Sequence, residues 1–247
     1  MRDGFIRVAA ATPRIQVADC AGNRDRILGL IRQAAADQVH IAVFPELCLT
    51  GYTCGDLFLS RTLLDGARRA LCSLAEATRG LEIISIVGLP LADGAALYNV
   101  AAVIQDGRVL GFVPKQNIPN YAEFYEARHF SPGPSISVCL FDGSEIPFGR
   151  NLLFCCEQMP ELTLAVEICE DLWAARPPAI DHAEAGATII ANLSASDEVV
   201  SKAAYRRLLV QSQSGRLLCT YVYADAGEGE SSTDLVFAGH NLIYENG

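Results

Sequence analysis

Short apolar runs that alternate with segments of helical spacing constrain the fold of this chain most strongly. Four of these runs are "VHIAVFPE" (39–46), "LEIISIVGLPL" (81–91), "LTLAVEIC" (162–169) and "ATIIANLS" (187–194). Each has the length of a buried strand, and none approaches the ~20 apolar residues that span a bilayer. Segments that favour a helix, such as 61–78, lie between them. Strands that alternate with helices predict a mixed α/β fold, a sheet covered by helices, in one domain.

Turn and capping signals divide the rest of the chain. Asp106-Gly107 between two apolar runs predicts a β-hairpin, and Asn23 is a candidate N-cap for the helix that follows it. A second hairpin, with His240-Asn241 in its turn, is predicted to close the chain at 233–247. The other predicted elements are strands at 5–11 and 217–225, helices at 179–185 and 199–215, and a loop or short helix at 120–134.

The charge balance and the cysteine content limit what the chain binds and where it works. The 247 residues carry a net charge of -10, which disfavours nucleic acid and anionic membranes as partners. No signal-peptide pattern is visible at the N-terminus, so we expect a cytoplasmic protein. The nine cysteines are scattered through apolar segments without a C-x-x-C. This pattern favours reduced, buried thiols, and we expect no metal site.

Three reactive side chains follow apolar runs at points where strands are predicted to end. Glu46 follows "IAVFP", Lys115 follows "VLGFVP", and Cys169 follows "LTLAVEI". Loops at strand ends build the sites of α/β folds. Taken singly, each residue is more often structural or solvated than catalytic. Together, a thiolate nucleophile, a carboxylate that shuttles the proton and an ammonium that stabilises an oxyanion are suited to acyl transfer.

The acidic neighbours of Cys169 raise a question, because carboxylates beside a thiol raise its pKa and lower its reactivity. Glu167, Glu170 and Asp171 all flank it. We expect that they do not all face the sulfur, that Glu170 points towards substrate, and that Lys115 offsets the remaining negative charge. A Cys-His enzyme built on His129 or His240 is disfavoured, since neither histidine follows a strand in a recognisable motif.

The segments "FPELCLTGY", "GFVPKQNIPNY" and "EICEDLW", in this order, resemble the nitrilase superfamily of carbon–nitrogen hydrolases. The resemblance runs from Arg7 to about Tyr244. It implies a four-layer α-β-β-α sandwich. "LTGYTCGDLF", "KQNIPNYAEFYEARHF" and "VEICEDLW" are more narrowly similar to the amino-terminal glutaminase domains of glutamine-dependent NAD synthetases. A stand-alone amidase of the superfamily and a non-catalytic assembly module are the alternatives.

The resemblance also implies roles for individual residues. Glu46 is the general base and acid, Lys115 stabilises the oxyanion together with the backbone N–H of Glu170, and Cys169 forms a thioester. A second glutamate that supports the lysine is Glu126, with Glu123 as the rival. Glutamine is expected to contact Tyr52, Tyr121, Glu170, Trp173, Ser196 and Lys202. Of these, Glu170 is suited to the α-amino group and Lys202 to the α-carboxylate.

The resemblance implies a synthetase domain with a Gly-rich phosphate loop, and no segment of this sequence matches that loop. The Gly-rich "AGEGESS" (226–232) has neither the lysine nor the strand-to-helix context of a phosphate loop. We therefore expect no cofactor for this domain, with ATP and Mg²⁺ needed only by a synthetase domain C-terminal to it. The chain, 1–247, is interpreted as one glutamine amidohydrolase domain of a longer protein, and a homo-oligomer is expected.

Overall fold

Two β-sheets form the centre of the protein in a computed structural model that describes residues 4–247. The first sheet has seven strands in the order β1-β2-β3-β4-β5-β7-β6, and the second has five in the order β12-β11-β10-β9-β8. The strands are β1 Val8–Ala10, β2 Ile41–Val43, β3 Ile84–Asp93, β4 Ala96–Gln105, β5 Arg108–Pro114, β6 Ser137–Phe141, β7 Ser144–Phe148, β8 Leu153–Cys155, β9 Thr163–Ile168, β10 Ile189–Ser194, β11 Thr220–Asp225 and β12 Leu242–Glu245.

Helices cover the outer face of each sheet. They are α1 Cys20–Ala36, α2 Arg61–Ala77, α3 Glu170–Trp173, α4 Ala179–Glu184 and α5 Lys202–Leu217, and two 3₁₀ helices span Tyr52–Leu59 and Glu126–Arg128. One buried cluster joins α1 and α2 to the seven-stranded sheet, and another joins α4 and α5 to the five-stranded sheet. No helix within residues 4–247 combines the length and the apolar character needed to cross a membrane.

The two sheets pack face to face through small and branched apolar side chains. Val103 and Val113 of the seven-stranded sheet share a buried cluster with Val166, Ala191 and Val222 of the five-stranded sheet. Side chains alternate across a strand, so each sheet gives one face to this inner cluster and the other to its helices. The expected α-β-β-α sandwich is therefore confirmed. The single sheet predicted from periodicity is wrong, because there are two sheets. Periodicity identifies strands but does not show how many sheets they form.

Most element predictions hold, but two are wrong. Asp19, not Asn23, caps α1, because its side chain accepts a hydrogen bond from the backbone N–H of Gly22. Asn23 lies inside the helix, fully buried. The closing hairpin does not form either: β12 pairs antiparallel with β11. The stretch before β12 forms loop contacts instead, including a hydrogen bond from the Asp225 N–H to the side-chain oxygen of Asn241.

The hairpin predicted at Asp106-Gly107 is confirmed. Both residues have positive φ, 45° and 79°, the backbone form that a two-residue turn between twisted strands requires. The same dipeptide at Asp142-Gly143 turns β6 into β7 with φ of 49° and 81°. This second hairpin was not predicted, although its Asp-Gly dipeptide is present in the sequence.

Candidate active site

Glu46, Lys115 and Cys169 lie at one end of the sandwich. Glu46 is in the loop after β2, Lys115 directly follows β5, and Cys169 directly follows β9. The first two belong to the seven-stranded sheet and the third to the five-stranded sheet. All three are buried, with 1%, 0% and 6% of their surface exposed. The local sequence pattern places each of the three residues at the end of a strand. Because the two sheets pack face to face, these strand ends lie near one another.

Lys115 is clamped between two carboxylates. Its Nζ donates to Oε1 of Glu46 at 2.7 Å and to Oε1 of Glu126 at 2.6 Å. Burial opposes the charge on the ammonium, but Glu126 and Glu46 outweigh burial and hold the pKa of Lys115 well above its ordinary value. Glu126, rather than Glu123, is thus the second carboxylate in contact with the lysine. Burial raises the pKa of Glu126 to about 7, against the opposing charge of Lys115.

Two further groups hold the Glu46 carboxylate. Nδ2 of Asn99 donates to its Oε1 at 2.6 Å and lies 3.4 Å from Oε2 of Glu126. The backbone N–H of Ala195, just after β10, donates to its Oε2 at 3.0 Å. Asn99 was not predicted as a site residue from the sequence. A lone amide inside the apolar run "LYNVAAVIQ" was the available signal, since a buried polar side chain needs a partner.

Cys169 sits on a strained turn between β9 and α3. Its φ is +44° and its ψ is -96°, a conformation that costs energy in a residue with a side chain and that clusters at active sites. Its backbone N–H donates to the carbonyl of Leu193 at 2.9 Å and to Oδ1 of Asn192 at 3.1 Å. Glu170 begins α3, so its own N–H has no partner within that helix.

Burial favours the neutral thiol form of Cys169. Burial raises its pKa well above the ordinary value, and the charge of Glu46 adds to the increase while that of Lys115 opposes it. The Ala195 N–H, which bonds Glu46, also favours the thiolate. A neutral thiol needs a base to become a nucleophile. Glu46 and Glu126 are carboxylates whose charges act on this thiol.

The three acidic neighbours of Cys169 point in different directions. Glu167 accepts from the N–H of Ala179 at 2.9 Å and from the hydroxyl of Tyr221, beneath α4. Burial raises the pKa of Glu167 to about 7. Glu170 accepts from the hydroxyl of Tyr121, which is 3.1 Å from both of its carboxylate oxygens. Asp171 is buried and faces the segment that follows Lys115.

The structure divides the residues expected to bind substrate into three groups. Tyr52 lies on the Glu126 side, where its hydroxyl donates to Oε1 of that residue at 2.9 Å. In a second group, Tyr121 bonds Glu170, and Lys202 Nζ lies 5.4 Å from the centre of the Trp173 ring. Lys202 also forms an ion pair with Asp197.

Ser196 is buried in a second polar network. Its N–H donates to Oδ1 of Asp225 at 2.9 Å, and its hydroxyl accepts from Nη2 of Arg206 at 3.2 Å. Arg206 is fully buried and also binds the carbonyl of Asp197 at 2.9 Å. The arginine therefore organises the loop between β10 and α5, a role that was not predicted from the sequence.

The side chains of the two histidines of the disfavoured Cys-His alternative have other partners. His129 pairs with Asp56 at 3.0 Å, and His240 contacts Nη1 of Arg206 at 2.9 Å. A cavity of about 160 Å³ lies beside Glu126 and Tyr52. Its lining does not include Cys169. Across residues 4–247, no cluster of three or more His, Cys, Asp or Glu side chains is arranged to hold a metal ion.

A four-layer sandwich with a buried glutamate, lysine and cysteine at facing strand ends defines a carbon–nitrogen hydrolase. The family model for carbon-nitrogen hydrolases matches residues 7–246, and the chain belongs to this family. It is 44% identical over 245 residues to the glutamine-dependent NAD(+) synthetase of Mycobacterium tuberculosis, a match that covers 99% of this chain and 36% of that protein. The enzyme of Xylella fastidiosa is 34% identical over 242 residues, 98% of this chain and 41% of its own length.

Solved structures agree. The glutamine-dependent NAD(+) synthetase from Cytophaga hutchinsonii superimposes with a TM-score of 0.87 at 33% identity, over 98% of this chain and 39% of that chain. The NitN amidase from Neterenkonia sp. AN1 has a TM-score of 0.75 at 19% identity, over 98% of this chain and 86% of that chain, which shows the shared fold. The chain thus spans little more than a third of the synthetases that it matches and most of the amidase.

Proposed function

We propose that this chain is a glutaminase, a C–N hydrolase that converts glutamine to glutamate and ammonia through a thioester on Cys169. The buried contact of Lys115 with both Glu46 and Glu126 carries the proposal, because it holds together a cation and a proton acceptor whose charges act on the Cys169 thiol. We infer glutamine as the amide substrate because the relatives are glutamine-dependent NAD(+) synthetases.

The first half of the reaction forms the thioester. Glu46 takes the thiol proton as the sulfur of Cys169 attacks the side-chain carbonyl carbon of glutamine. The carbonyl oxygen becomes an oxyanion, which the Lys115 ammonium and the Glu170 N–H stabilise. Glu46 then gives the proton to the departing nitrogen, the C–N bond breaks, and ammonia leaves.

The second half reverses the roles of the groups. Water attacks the thioester carbonyl, Glu46 takes a proton from the water, and the same donors hold the second oxyanion. The C–S bond then breaks, the sulfur recovers its proton from Glu46, and glutamate is released. Glu126 stays in contact with Lys115 throughout and keeps the ammonium charged between its two carboxylates.

Opposite charges at the site entrance suit an amino acid. The Glu170 carboxylate attracts the α-ammonium of glutamine, and Lys202 attracts its α-carboxylate. Tyr121, Trp173 and Ser196 provide the remaining contacts around the substrate, and Tyr52 supports Glu126. A lysine at this place offers charge without the two-pronged geometry of arginine.

We further propose that the ammonia supplies a synthetase domain C-terminal to this one in the full protein, which would use ATP and Mg²⁺ for NAD synthesis. The glutaminase reaction itself would require no cofactor, because the steps above use only water, side chains and one backbone N–H of this chain. Assembly as a homo-oligomer and a cytoplasmic location complete the proposal.

Ammonia release by the purified chain tests the proposal. We expect glutamine turnover, loss of that turnover in Cys169→Ala, and covalent labelling of Cys169 by a glutamine-analogue electrophile. Absence of both turnover and labelling would overturn the assignment. Because the shared fold extends over 86% of the NitN amidase chain, a stand-alone amidase is the second candidate. Preference for an amide without the α-amino acid group in a panel of ω-amides would favour it.

A further inference from the structure

Asp171 has no role in the reaction described above, yet its buried carboxylate receives several hydrogen bonds. Oδ1 accepts from the backbone N–H of Asn117 at 2.8 Å, from its side-chain amide at 2.9 Å and from the N–H of Gln116 at 3.2 Å. Oδ2 accepts from the N–H of Ile168 at 3.0 Å. All of these partners are donors, which suits an ionised carboxylate.

These donors come from the two segments that carry the reacting groups. Gln116 and Asn117 directly follow Lys115 at the end of β5, in the seven-stranded sheet. Ile168 directly precedes Cys169 at the end of β9, in the five-stranded sheet. One carboxylate therefore connects the backbone beside the proposed oxyanion cation to the backbone beside the proposed nucleophile.

Adhesion between the sheets does not require this carboxylate. Apolar side chains such as Val113 and Val166 already join them, and a buried anion costs more to desolvate than an apolar side chain of similar size. What a carboxylate adds is direction, because four N–H groups must converge on two oxygens in a fixed arrangement. The bridge thus restrains the positions of two backbone segments more narrowly than apolar packing does.

We propose that Asp171 is a positioning residue that fixes the separation between the Lys115 ammonium and the Cys169 sulfur. The proposal rests on the glutaminase mechanism proposed above. The hydrogen bonds of the Asp171 carboxylate go to Gln116, Asn117 and Ile168 and not to the thiol, so it acts through the two backbone segments. When the bridge is lost, Lys115 withdraws from the sulfur, and both the stabilisation of the thiolate and that of the oxyanion weaken.

The split between kcat and KM distinguishes positioning from general damage. The charged groups expected to bind the amino acid, Glu170 and Lys202, are not partners of Asp171. We expect Asp171→Asn to lower kcat for glutamine about 100-fold, the size of effect that a displacement of about 1 Å produces, while KM changes less than about threefold. The matched control is Asp181→Asn, which removes an exposed carboxylate that pairs with Arg176.

Alkylation of Cys169 by iodoacetamide gives a readout that does not depend on glutamine. We expect the apparent thiol pKa from the pH profile to be higher in Asp171→Asn than in the wild type and in Asp181→Asn, because Lys115 no longer favours the thiolate as strongly. A profile and a kcat equal to those of Asp181→Asn would overturn the proposal. An unchanged alkylation profile with lowered kcat would overturn it too, since the lysine would then have kept its place.

A milder variant covers the case in which Asp171→Asn does not fold. Asn117→Ala removes only the side-chain amide donor and leaves the three backbone donors. We expect a several-fold fall in kcat and a small upward shift of the thiol pKa, and no change in either overturns the proposal. If the wild type turns over no glutamine, the glutaminase assignment fails, and the alkylation profiles still decide whether Asp171 positions Lys115.

Discussion

The hydroxyl of Tyr52 donates a 2.9 Å hydrogen bond to Oε1 of Glu126, the oxygen that also accepts from Lys115. Tyr52 and Glu126 are both buried. Burial raises the pKa of Glu126 to about 7, and the Tyr52 hydroxyl is one of the groups that opposes this increase. Tyr52 therefore helps to keep Glu126 ionised and able to hold the lysine.

Replacement of Tyr52 by phenylalanine tests this relationship. The lost donor raises the pKa of Glu126 further, so that more of the carboxyl is protonated near neutral pH and Lys115 is held less firmly. We expect kcat to fall about 5-fold, corresponding to a net hydrogen-bond contribution of about 1 kcal/mol. Steady-state kinetics measure it. Tyr244→Phe, at the edge strand β12, is the control, and equal kcat in the two variants contradicts the role.

The charges around the thiol predict opposite effects from two substitutions. Lys115→Met removes the charge that lowers the pKa of Cys169, so the alkylation profile should move to higher pH. Glu126→Gln removes a charge that raises it, so the profile should move to lower pH. Iodoacetamide labelling across pH, quantified by mass spectrometry on the peptide that contains Cys169, measures both, since Cys155 is exposed and also reacts. Shifts of the same sign in the two variants would show that these charges do not govern the thiol.

We expect that replacing Gly88 by alanine lowers activity by displacing the backbone that carries Glu46. A Cβ added at this glycine of β3 would lie 2.2 Å from the backbone nitrogen of Leu47 and 2.7 Å from the carbonyl oxygen of Pro45. Backbone cannot move aside as a flexible side chain does, so Gly88→Ala must displace the loop that carries Glu46. We expect kcat to drop more than about 10-fold, since catalysis is sensitive to small displacements.

Gly29→Ala is the matched control for that substitution. Gly29 lies within α1, and its added Cβ would meet nothing within 4 Å. Alanine at this position should preserve activity and raise helix stability by up to about 1 kcal/mol. If Gly88→Ala retains the activity of Gly29→Ala, the loop tolerates displacement and Glu46 does not need its observed position.

Glu167 predicts how stability depends on pH. Its pKa rises from 4.5 to about 7 on folding, chiefly through burial. The folded state therefore binds the proton more tightly than the unfolded state, and this contribution to stability is present at low pH and lost as pH rises through about 7. Glu126 and Asp225, whose pKa values also rise to about 7, act in the same direction.

The variant Glu167→Gln isolates one contribution, because Glu126 and Asp225 remain in it. Between about pH 5 and about pH 8, the wild type should lose about 2 to 3 kcal/mol more of its free energy of unfolding than the variant loses. Urea unfolding at the two pH values measures the difference. An equal loss in both proteins would mean that Glu167 does not titrate in this range.

The three proposed reacting residues are accessible to sequence analysis because each follows an apolar run at a strand end. The supporting residues are not. Asn99 lies in the middle of an apolar run, Asp171 reaches across to another sheet, and the need for glycine at position 88 arises from a loop some 40 residues earlier in the chain. These contacts join segments that are distant in sequence, and a local sequence pattern does not show which distant segment a residue contacts.

The errors in the predicted elements have the same origin. The run at 233–247 has the composition of a hairpin, but its last strand pairs with β11, and the Asn241 side chain bonds the end of that strand. Likewise, Asp19 and Asn23 are both good caps by composition. Asn23 instead bonds Gln16 through both its side-chain oxygen and nitrogen, which removes it from the helix terminus.

Because the site is divided between two sheets, the catalytic rate is sensitive to small displacements of one sheet relative to the other. Lys115 moves with one layer and the Cys169 sulfur with the other, while Glu46 is bonded to both through Lys115 and Ala195. A sideways shift of the layers would therefore separate the ammonium from the thiol while every strand pairing survives. Altered bulk at Val103 or Val166, inside the sandwich, would then be felt first as slowed chemistry and only later as unfolding. In such a protein, the tolerance of the interior to substitution is set by the reaction before it is set by the fold.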